Sequence, residues 1–422
     1  MQSRRSVILF IAAFALVFTS LTLTAPLFAA SKENVLHRFS SDGKDGVYPS
    51  AGLIFDAAGN LYGTTPHGGP SDLGTVYQLS PGANGTWTET VLHSFSGNDG
   101  LYPDASLIFD AAGNLYGTTY GGGAHNAGAV FQLSPRANGT WTENVLYSFG
   151  TKAGDGGGPM ASLIFDAAGN LYGTSLGGQY GKGNVFELSP GAGGTWTETV
   201  LYSFNGKDGQ DPKGSLVFDA AGNLYGTTYS GGGFSVGAVF QLSPGAGGKW
   251  TEKVSHRFTG RDGGFPYAGL ILDGSGNLYG TTLAGGAYDF GTVFQLTPGA
   301  HGTWTEKVVH SFNHNSHDGV VPYAGLMFDK AGNLFGTTFE GGTSGTACST
   351  GFGCGTVFEL KPGAKGKWTE KVVYSFVFGK DGLQPFAGVI FDAGGNLYGT
   401  TQVGGSGCGS QQHCGTVFEI TP

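Results

Sequence analysis

The chain has 422 residues and a formal net charge of −9; only 12% of its residues are charged, whereas glycine alone occupies 80 positions. The acidic balance argues against nucleic acid and anionic membrane surfaces as partners, because both attract basic proteins. So few charges and so many glycines exclude an extended helical surface and favour strands joined by tight turns.

Residues 1–30 have the pattern of a secretory signal peptide. A basic pair, Arg4-Arg5, precedes an apolar run from Val7 to Ala25, and small residues follow it. We predict a secreted or periplasmic protein whose chain does not contact the membrane after cleavage. Because the apolar run is nearly long enough to cross a bilayer, an uncleaved anchor is the alternative.

One phrase then recurs through the rest of the chain. FDAAGNLYGTT at residues 55–65 returns nearly unchanged at 109–119 and 165–175, and four more times after that. Repetition at this spacing is typical of a solenoid or a propeller. The seven copies are marked by the asparagine of a Gly-Asn pair, at Asn60, Asn114, Asn170, Asn223, Asn277, Asn333 and Asn396.

Each unit contains four strand-like runs, which in the first unit are residues 52–55, 60–65, 74–79 and 86–95. They are rich in β-branched and aromatic residues and are bounded by turn-forming residues, so we predict four strands per unit. The sequence Asp56-Ala-Ala-Gly59 predicts a hairpin in which the aspartate caps the turn and the glycine is left-handed.

The two ends of the chain share one unit. Residues 33–39 match the fourth run at 89–95, and the chain ends at 415–422 with a third run. Pairing these two runs would close a ring and remove both exposed edges. We therefore predict that residues 31–422 form a single all-β domain, a seven-bladed β-propeller of four-stranded antiparallel blades. An open β-solenoid is the alternative.

Length varies in two connections only, from the second run to the third and from the fourth run to the next unit. In an antiparallel blade these connections share one face, which we predict to be the binding face. The second connection ends in Asp-Gly-x-x-Pro, and we expect its aspartates around the axis as ligand-binding candidates, with turn capping as the competing interpretation. They are Asp45, Asp99, Asp155, Asp208, Asp262, Asp318 and Asp381.

Unlike side chains flank the prolines of these loops. Aromatic faces with polar neighbours suit a glycan and an exposed protein surface equally well. The ligand-binding candidates are Tyr48, Tyr102, Phe265, Tyr267, Tyr323 and Phe386, beside Asp211 and Lys213. The glycine-rich loops add Tyr120, Tyr180, Tyr229, Tyr288, Phe290 and Phe339.

The four cysteines fall in two loops at equivalent places. In an exported protein, Cys348 with Cys354 and Cys408 with Cys414 predict two local disulfides. A four-thiolate zinc site built across the two loops is the alternative.

No residues stand out as catalytic, and the sequence predicts neither a cofactor nor a metal site. There is no Gly-x-Ser-x-Gly element and no distinctive pair of carboxylates. His314, His317 and Asp318 share one loop and could hold a metal, although solvated histidines are the simpler interpretation. One position of the fourth run holds His37, His93, His256 and His310, or Tyr147, Tyr202 and Tyr374, which we interpret as packing.

The unit LIFDAAGNLYGTT, followed by GTVF and WTE in later strands, resembles the GloVer tandem-repeat family of exported bacterial proteins. That resemblance implies secretion and a propeller fold, with no assigned activity. The Phe-Asp-x-x-Gly-Asn-Leu-Tyr phrase is also similar to the first hairpin of NHL-type propellers. We predict a monomeric, non-catalytic binding or scaffold module whose partner is a glycan or a surface protein. The alternatives are a polysaccharide hydrolase or lyase that uses the central channel, and a purely structural envelope component.

Overall fold

The computed structural model describes residues 31–315, 317–343, 348, 351–377, 379, 381–405 and 414–422. The segment predicted to be a signal peptide, residues 1–30, and the cysteine at 408 lie outside these described residues. Ser31–Pro422 form one compact unit. Within the described part of the chain, no helix combines the length and apolar character needed to pass through a membrane.

Each sequence repeat forms one four-stranded antiparallel sheet. The strands, in chain order, are β1 (Lys32–Arg38), β2 (Gly46–Val47), β3 (Ile54–Phe55), β4 (Leu61–Thr65), β5 (His67–Gly68), β6 (Thr75–Pro81), β7 (Trp87–Ser94), β8 (Ile108–Phe109), β9 (Leu115–Thr119), β10 (Ala129–Pro135), β11 (Trp141–Ser148), β12 (Ile164–Phe165), β13 (Leu171–Ser175), β14 (Asn184–Pro190), β15 (Trp196–Ser203), β16 (Val217–Phe218), β17 (Leu224–Thr228), β18 (Ala238–Pro244), β19 (Trp250–Arg257), β20 (Ile271–Leu272), β21 (Leu278–Thr282), β22 (Thr292–Pro298), β23 (Trp304–Ser311), β24 (Gly319–Val320), β25 (Met327–Phe328), β26 (Leu334–Thr338), β27 (Glu340–Gly341), β28 (Thr356–Pro362), β29 (Trp368–Ser375), β30 (Ile390–Phe391), β31 (Leu397–Thr401) and β32 (Thr416–Thr421). Short 3₁₀ turns precede several fourth strands, at Ala83–Gly85, Ala192–Gly194, Ala246–Gly248, Ala300–Gly302 and Ala364–Gly366.

The seven sheets are blades, and the strands of each blade are called a to d from the channel outwards. Blades 1 to 6 are β3-β4-β6-β7, β8 to β11, β12 to β15, β16 to β19, β20 to β23 and β25-β26-β28-β29. Blade 7 combines β30, β31 and β32 with β1, whose partners run from Lys32 opposite Thr421 to Arg38 opposite Thr416. This pairing confirms the predicted closure of a seven-bladed propeller.

The hydrophobic core is divided into seven clusters, each shared by two neighbouring blades. Between blades 1 and 2, Tyr62 packs with Leu115 and Phe131, all of them buried. Phe95 meets the Phe131 ring edge to face at 5.1 Å. Strand b has a glycine here because a Cβ on Gly117 would lie only 2.6 Å from the Phe131 ring.

Around the axis, a threonine of every strand b donates a hydrogen bond to a carbonyl oxygen in the next blade. The seven bonds are Thr64 to Ala105, Thr118 to Ala161, Thr174 to Gly214, Thr227 to Ala268, Thr281 to Ala324, Thr337 to Ala387 and Thr400 to Ala51. The last of these bonds joins blade 7 to blade 1. The hydrogen bonds around the channel therefore close the ring, as the pairing of β1 with β32 does farther out.

The hairpin between strands a and b has the structure that the sequence predicts. The Asp56 carboxylate accepts hydrogen bonds from the backbone N–H groups of Ala58 and Asn60, from the Asn60 side chain, and from the Tyr62 hydroxyl at 3.0 Å. Gly59 is left-handed, with φ of 83°. A short aspartate that satisfies several donors at once fixes the turn.

Candidate functional site

The two connections of variable length meet on one face, here called the loop face; the a–b hairpins lie on the opposite hairpin face. Backbone hydrogen bonds join the two connections within each unit. The pairs are β2 with β5, β24 with β27, Leu101 with Gly121, Gln210 with Ser230, Gly264 with Ala284, and Leu383 with Val403. In unit 3 the Gly157 carbonyl accepts from Leu176 and Gly177. This confirms the prediction that all variable loops share a face.

The residue before each loop proline is left-handed. These residues are Tyr48, Tyr102, Gly158, Asp211, Phe265, Val321 and Gln384, with φ between 57° and 63°. Non-glycine residues rarely adopt this conformation, and a β-branched residue such as Val321 does so only when the surroundings impose it. Each of the seven donates its backbone N–H to a carbonyl in the b–c loop of the preceding blade, at 2.7 to 3.0 Å. The strained residue therefore connects neighbouring blades on the loop face.

The residue after each proline points to the axis instead. All seven of these side chains line a cavity of about 270 Å³ at the mouth of the channel: Ser50, Asp104, Met160, Lys213, Tyr267, Tyr323 and Phe386. The small residues that follow them, such as Ala268 and Gly269, line the channel below. One backbone arrangement thus presents seven side chains of six different types to a single space, which we call the channel mouth.

Three consecutive blades give the channel mouth an aromatic side. Tyr323 and Phe386 are stacked, with ring centroids 4.6 Å apart, and Tyr267 lies 5.3 Å and 5.5 Å from them. Lys213 Nζ lies over the rings of Tyr229 and Tyr267, at 4.3 Å and 5.0 Å from their centroids. Burial lowers the pKa of Lys213, and burial also raises the pKa of Tyr267. An ammonium held over aromatic rings is favourably placed while it keeps its charge.

The other side of the channel mouth is polar. Ser50 Oγ donates to Asp104 Oδ1 at 2.7 Å. Burial raises the pKa of Asp104, opposed by the Ser50 hydrogen bond and by His67. Asp104 also lines a neighbouring cavity of about 440 Å³ with Tyr48 and Tyr102. The predicted candidates Tyr48 and Tyr102 therefore flank the channel mouth, on its polar side.

Exposed aromatic side chains stand further out on the loop face. Large hydrophobic residues with more than a third of their surface exposed belong mainly to the b–c loops, namely Tyr120, Tyr180, Phe234, Tyr288 and Phe352. The candidate Phe265 packs against Tyr229, with ring centroids 5.3 Å apart. Single exposed aromatics are common in soluble proteins, and among the described residues these five lie on the loop face.

The aspartates of the Asp-Gly-x-x-Pro loops lie elsewhere than expected. They are not among the residues that line the channel cavity. Each is hydrogen-bonded to the His or Tyr of the adjacent strand d, and all seven also accept a backbone N–H group of their own loop. The pairs are His37–Asp45, His93–Asp99, Tyr147–Asp155, Tyr202–Asp208, His256–Asp262, His310–Asp318 and Tyr374–Asp381.

This placement corrects the expected ring of carboxylates around the axis, because strand d is the outermost strand of its blade. It also shows that the His and Tyr residues do more than pack. The signal was present in the sequence, since one aspartate and one His or Tyr recur in every unit, but only the folded loop reveals that they pair.

A disulfide joins Cys348 and Cys354 as predicted, so this pair does not form a zinc site. Cys414 is also disulfide-bonded, while its predicted partner at 408 lies outside the described residues. Within the loop closed by the Cys348–Cys354 disulfide, Phe352 contacts the ring of His314, with the ring centroids 4.9 Å apart. Asp318 is engaged by His310, so the alternative metal site of His314, His317 and Asp318 is not assembled in the described residues.

The comparisons with known proteins agree with this architecture. The family described as the Gloeobacter/Verrucomicrobia repeat matches residues 27–197 and 144–352, which confirms the resemblance seen in the repeat unit. No curated protein matches the chain. A solved extracellular domain of a hybrid two-component system from B. thetaiotaomicron is 12% identical over 92% of this chain, with a TM-score of 0.54. The match covers 43% of that structure, so the chain spans less than half of its length.

Two further solved structures have lower TM-scores. An oxidoreductase described as glucose dehydrogenase, from Thermus thermophilus, is 15% identical with a TM-score of 0.40, covering 93% of this chain and all of that one. A protein of unknown function from Dyadobacter fermentans is 12% identical with a TM-score of 0.41, covering 81% of this chain and 97% of that one. At such identities the likeness concerns the fold alone.

Proposed function

The chain belongs to the Gloeobacter/Verrucomicrobia repeat family, and from this premise we propose that it is an exported, non-catalytic binding protein. Its ligand is a saccharide chain, held at the channel mouth of the loop face. The observation that carries this proposal is the convergence of seven side chains of six different types on one cavity, although the backbone that presents them is the same in every blade.

The chemistry of the channel mouth suits a sugar. A pyranose ring has an apolar face, which can lie on the aromatic side formed by Tyr267, Tyr323 and Phe386, and polar edges that need hydrogen-bond partners. The Lys213 ammonium, the Asp104 carboxylate and the Ser50 hydroxyl supply donors and acceptors across the same cavity. A few polar groups beside an apolar wall fix the orientation of a ligand without holding it too rigidly to exchange.

Binding is favoured over hydrolysis by the carboxylate content of the channel mouth. Glycoside hydrolysis ordinarily uses two carboxyl groups on either side of the scissile bond. Of the described residues that line the cavity, Asp104 is the one that carries a carboxylate. Incubating the protein with the polysaccharides that it binds, and measuring reducing ends and unsaturated products, tests the enzymatic alternative. Turnover that is lost in Asp104→Asn or Lys213→Ala would replace the binding assignment.

The binding proposal is tested by screening the protein against an oligosaccharide array and measuring the affinity for any positive by calorimetry. Tyr323→Ala removes the stacked ring, so we expect affinity to fall about tenfold to a hundredfold, or about 1.4–3 kcal/mol. Tyr288→Ala is the matched control, because Tyr288 is an exposed aromatic of the same face outside the channel mouth.

The outcomes separate the candidate surfaces and ligands. Equal losses in Tyr288→Ala and Tyr323→Ala would move the site from the channel mouth to the outer aromatic residues. A parallel selection from a random peptide library tests a protein ligand. Saturable peptide binding that Tyr323→Ala abolishes, with no saccharide bound, would replace the saccharide by a protein segment and keep the site.

Export is part of the same proposal, with residues 1–30 as its signal and the monomer as the binding unit. The Cys348–Cys354 disulfide supports it, because stable disulfides are typical of oxidising compartments. Fractionating cells that express the full chain, and sequencing the amino terminus of the protein recovered, tests it. Recovery of the intact chain from the cytoplasm would contradict export, and an intact terminus in the membrane would indicate the uncleaved anchor.

A further inference from the structure

Every boundary between neighbouring blades brings two carboxylates together near the rim. The aspartate after strand d of one blade acts electrostatically on a glutamate of strand d in the next blade. These interface pairs are Asp45–Glu89, Asp99–Glu143, Asp155–Glu198, Asp208–Glu252, Asp262–Glu306, Asp318–Glu370 and Asp381–Glu33. Since like charges repel most strongly away from water, such pairs favour an additional positive group.

At three boundaries the chain itself supplies a Lys or Arg whose charge acts on the glutamate, namely Arg38 on Glu33, Arg257 on Glu252 and Lys152 on Glu198. Lys152 Nζ lies 2.9 Å from Glu198 Oε2, and the Glu198 side chain is completely buried. At all seven boundaries, one glutamate oxygen is buried and has no hydrogen-bond partner: the Oε1 atoms of Glu33, Glu89, Glu143, Glu198, Glu252, Glu306 and Glu370. A buried carboxylate oxygen without a partner is costly. Unit 3 therefore shows what the interface pair accommodates, namely a cation.

The boundary between blades 1 and 2 has the geometry of a metal site. The ligand atoms of His93, Asp99 and Glu143 all lie within 4.8 Å of one another, and no other such group occurs in the described residues. His93 Nε2 is 3.0 Å from Asp99 Oδ2, and both side chains keep about a fifth of their surface exposed. A cation from solvent can therefore reach them, and small side-chain movements would bring all three ligand atoms onto it.

We propose that His93, Asp99 and Glu143 bind a divalent transition-metal cation, with Zn²⁺ as the best fit, which links blade 1 to blade 2. One imidazole nitrogen and two carboxylate oxygens are ligands that Zn²⁺ accepts, and water can complete a tetrahedron. Ca²⁺ and Mg²⁺ prefer sites made of oxygen alone. Because the three ligands come from two blades, the metal stabilises the ring in proportion to its occupancy.

The three boundaries with tyrosine provide the variant that tests this site. The position of His93 is held in three other units by Tyr147, Tyr202 and Tyr374. Each of these tyrosines donates its hydroxyl to the equivalent aspartate of its own unit. His93→Tyr therefore keeps the hydrogen bond to Asp99 while it removes the nitrogen ligand. Glu143→Gln removes a charged ligand with little change of shape. Glu252→Gln is the matched control, because Glu252 belongs to the interface pair Asp208–Glu252. At that boundary the position of His93 is held by Tyr202.

The experiment is a calorimetric titration of untagged, chelator-stripped protein with ZnCl₂. We expect one saturable site, weakened at least tenfold in both His93→Tyr and Glu143→Gln and unchanged in Glu252→Gln. CaCl₂ in excess should not compete, and anomalous scattering at the zinc edge should place the ion between His93 and Glu143. Circular dichroism of each variant establishes that it is folded.

Other results would overturn the proposal. The first is an absence of saturable Zn²⁺ binding, and the second is an equal Zn²⁺ affinity of His93→Tyr and wild type. The third is Zn²⁺ binding that is lost in His256→Tyr and kept in His93→Tyr. Should His93→Tyr fail to fold, the Glu143→Gln titration and the anomalous signal decide the question by themselves.

Discussion

The two faces of the ring use the same seven repeats for different purposes. On the hairpin face, an aspartate caps each a–b turn, and in six units the turn also receives a tyrosine hydroxyl. On the loop face, the residue after the proline is in turn Ser, Asp, Met, Lys, Tyr, Tyr and Phe. The hairpin side chains bond to their own turn, whereas most of those at the channel mouth bond to or pack on side chains of other blades.

This difference separates positions that stabilise the fold from those of the candidate binding surface. A position that holds the same residue in all seven units has an interaction partner within the protein in each of them. Substituting that residue removes the interaction. A position that holds six different residue types on one shared backbone conformation is not dictated by that backbone. Comparing equivalent positions within the chain thus separates scaffold from candidate binding surface, and substitutions on either side should produce effects of different kinds.

The largest expected contrast is between a blade-interface residue and a channel-mouth residue. Phe131 is fully buried between blades 1 and 2, so Phe131→Ala should lower the free energy of unfolding by about 3–5 kcal/mol. Met160→Ala, at the channel mouth, should change it by less than about 0.5 kcal/mol. Equilibrium urea unfolding measures both, and similar losses in the two variants would remove the distinction.

A smaller effect is expected on the hairpin face. Burial of Asp273 opposes its ionisation, but hydrogen bonds from Asn277, Ser275 and Tyr279 outweigh it and lower the pKa of this carboxyl. Its stabilisation is therefore present above about pH 4 and lost as the pH falls through the lowered pKa. Asp273→Asn should cost about 1–2 kcal/mol at pH 7, and the cost should shrink towards pH 3 in thermal unfolding.

Blade 6 supplies the control for this prediction. Phe335 replaces the hairpin tyrosine there, so the Asp329 carboxylate accepts bonds from Ala331 and Asn333 but none from a phenol. Asp329→Asn should accordingly cost less than Asp273→Asn. A greater cost in blade 6 would show that the tyrosine hydroxyl does not strengthen the turn.

The sequence predicted the scaffold better than the site, and the reason is physical. Strand alternation, the Asp–Gly hairpin and the split unit are local or periodic signals, so the ring and its closure through residues 33–39 could be derived from them. Whether a loop residue faces the axis depends on the left-handed conformation before the proline, which Val321 gives no reason to expect. That conformation is imposed by a carbonyl of the neighbouring blade, and it separates Phe265 from Tyr267 although both flank Pro266.

Interface carboxylates should respond to pH in the opposite direction from hairpin carboxylates. Burial raises the pKa of Glu252 to about 7, assisted by Asp208 and opposed by Arg257 and the Tyr202 hydrogen bond. Stability from this group is complete below about pH 4.5 and is lost as the pH rises through 7. Glu252→Gln should match wild type at pH 4.5 and exceed it by about 1 kcal/mol at pH 8, a value reduced for partial solvent exposure.

The control at another boundary should show a smaller effect. Burial raises the pKa of Glu198, and the Lys152 ammonium 2.9 Å away opposes that shift. Glu198→Gln should therefore stabilise the protein at pH 8 less than Glu252→Gln does, because it also breaks that ion pair. Guanidinium unfolding at both pH values measures the two variants. Greater stabilisation by Glu198→Gln than by Glu252→Gln, or destabilisation by Glu252→Gln at pH 8, would contradict this account of the interface pairs.

The smallest effect concerns the strain that positions the channel mouth. Val321 has a φ of 57°, which is unfavourable for a β-branched residue, whereas unit 3 has Gly158 at the same place. Val321→Gly should relieve strain but increase the flexibility of the unfolded chain, for a net gain of about 0.5–1 kcal/mol. Val321→Asn should gain at least as much, since asparagine tolerates this conformation and keeps a side chain. Thermal unfolding measures the stability of both variants. A loss of stability in both would mean that the packing of the valine side chain outweighs the backbone strain. The side chain at this loop position would then stabilise the fold, as its backbone does.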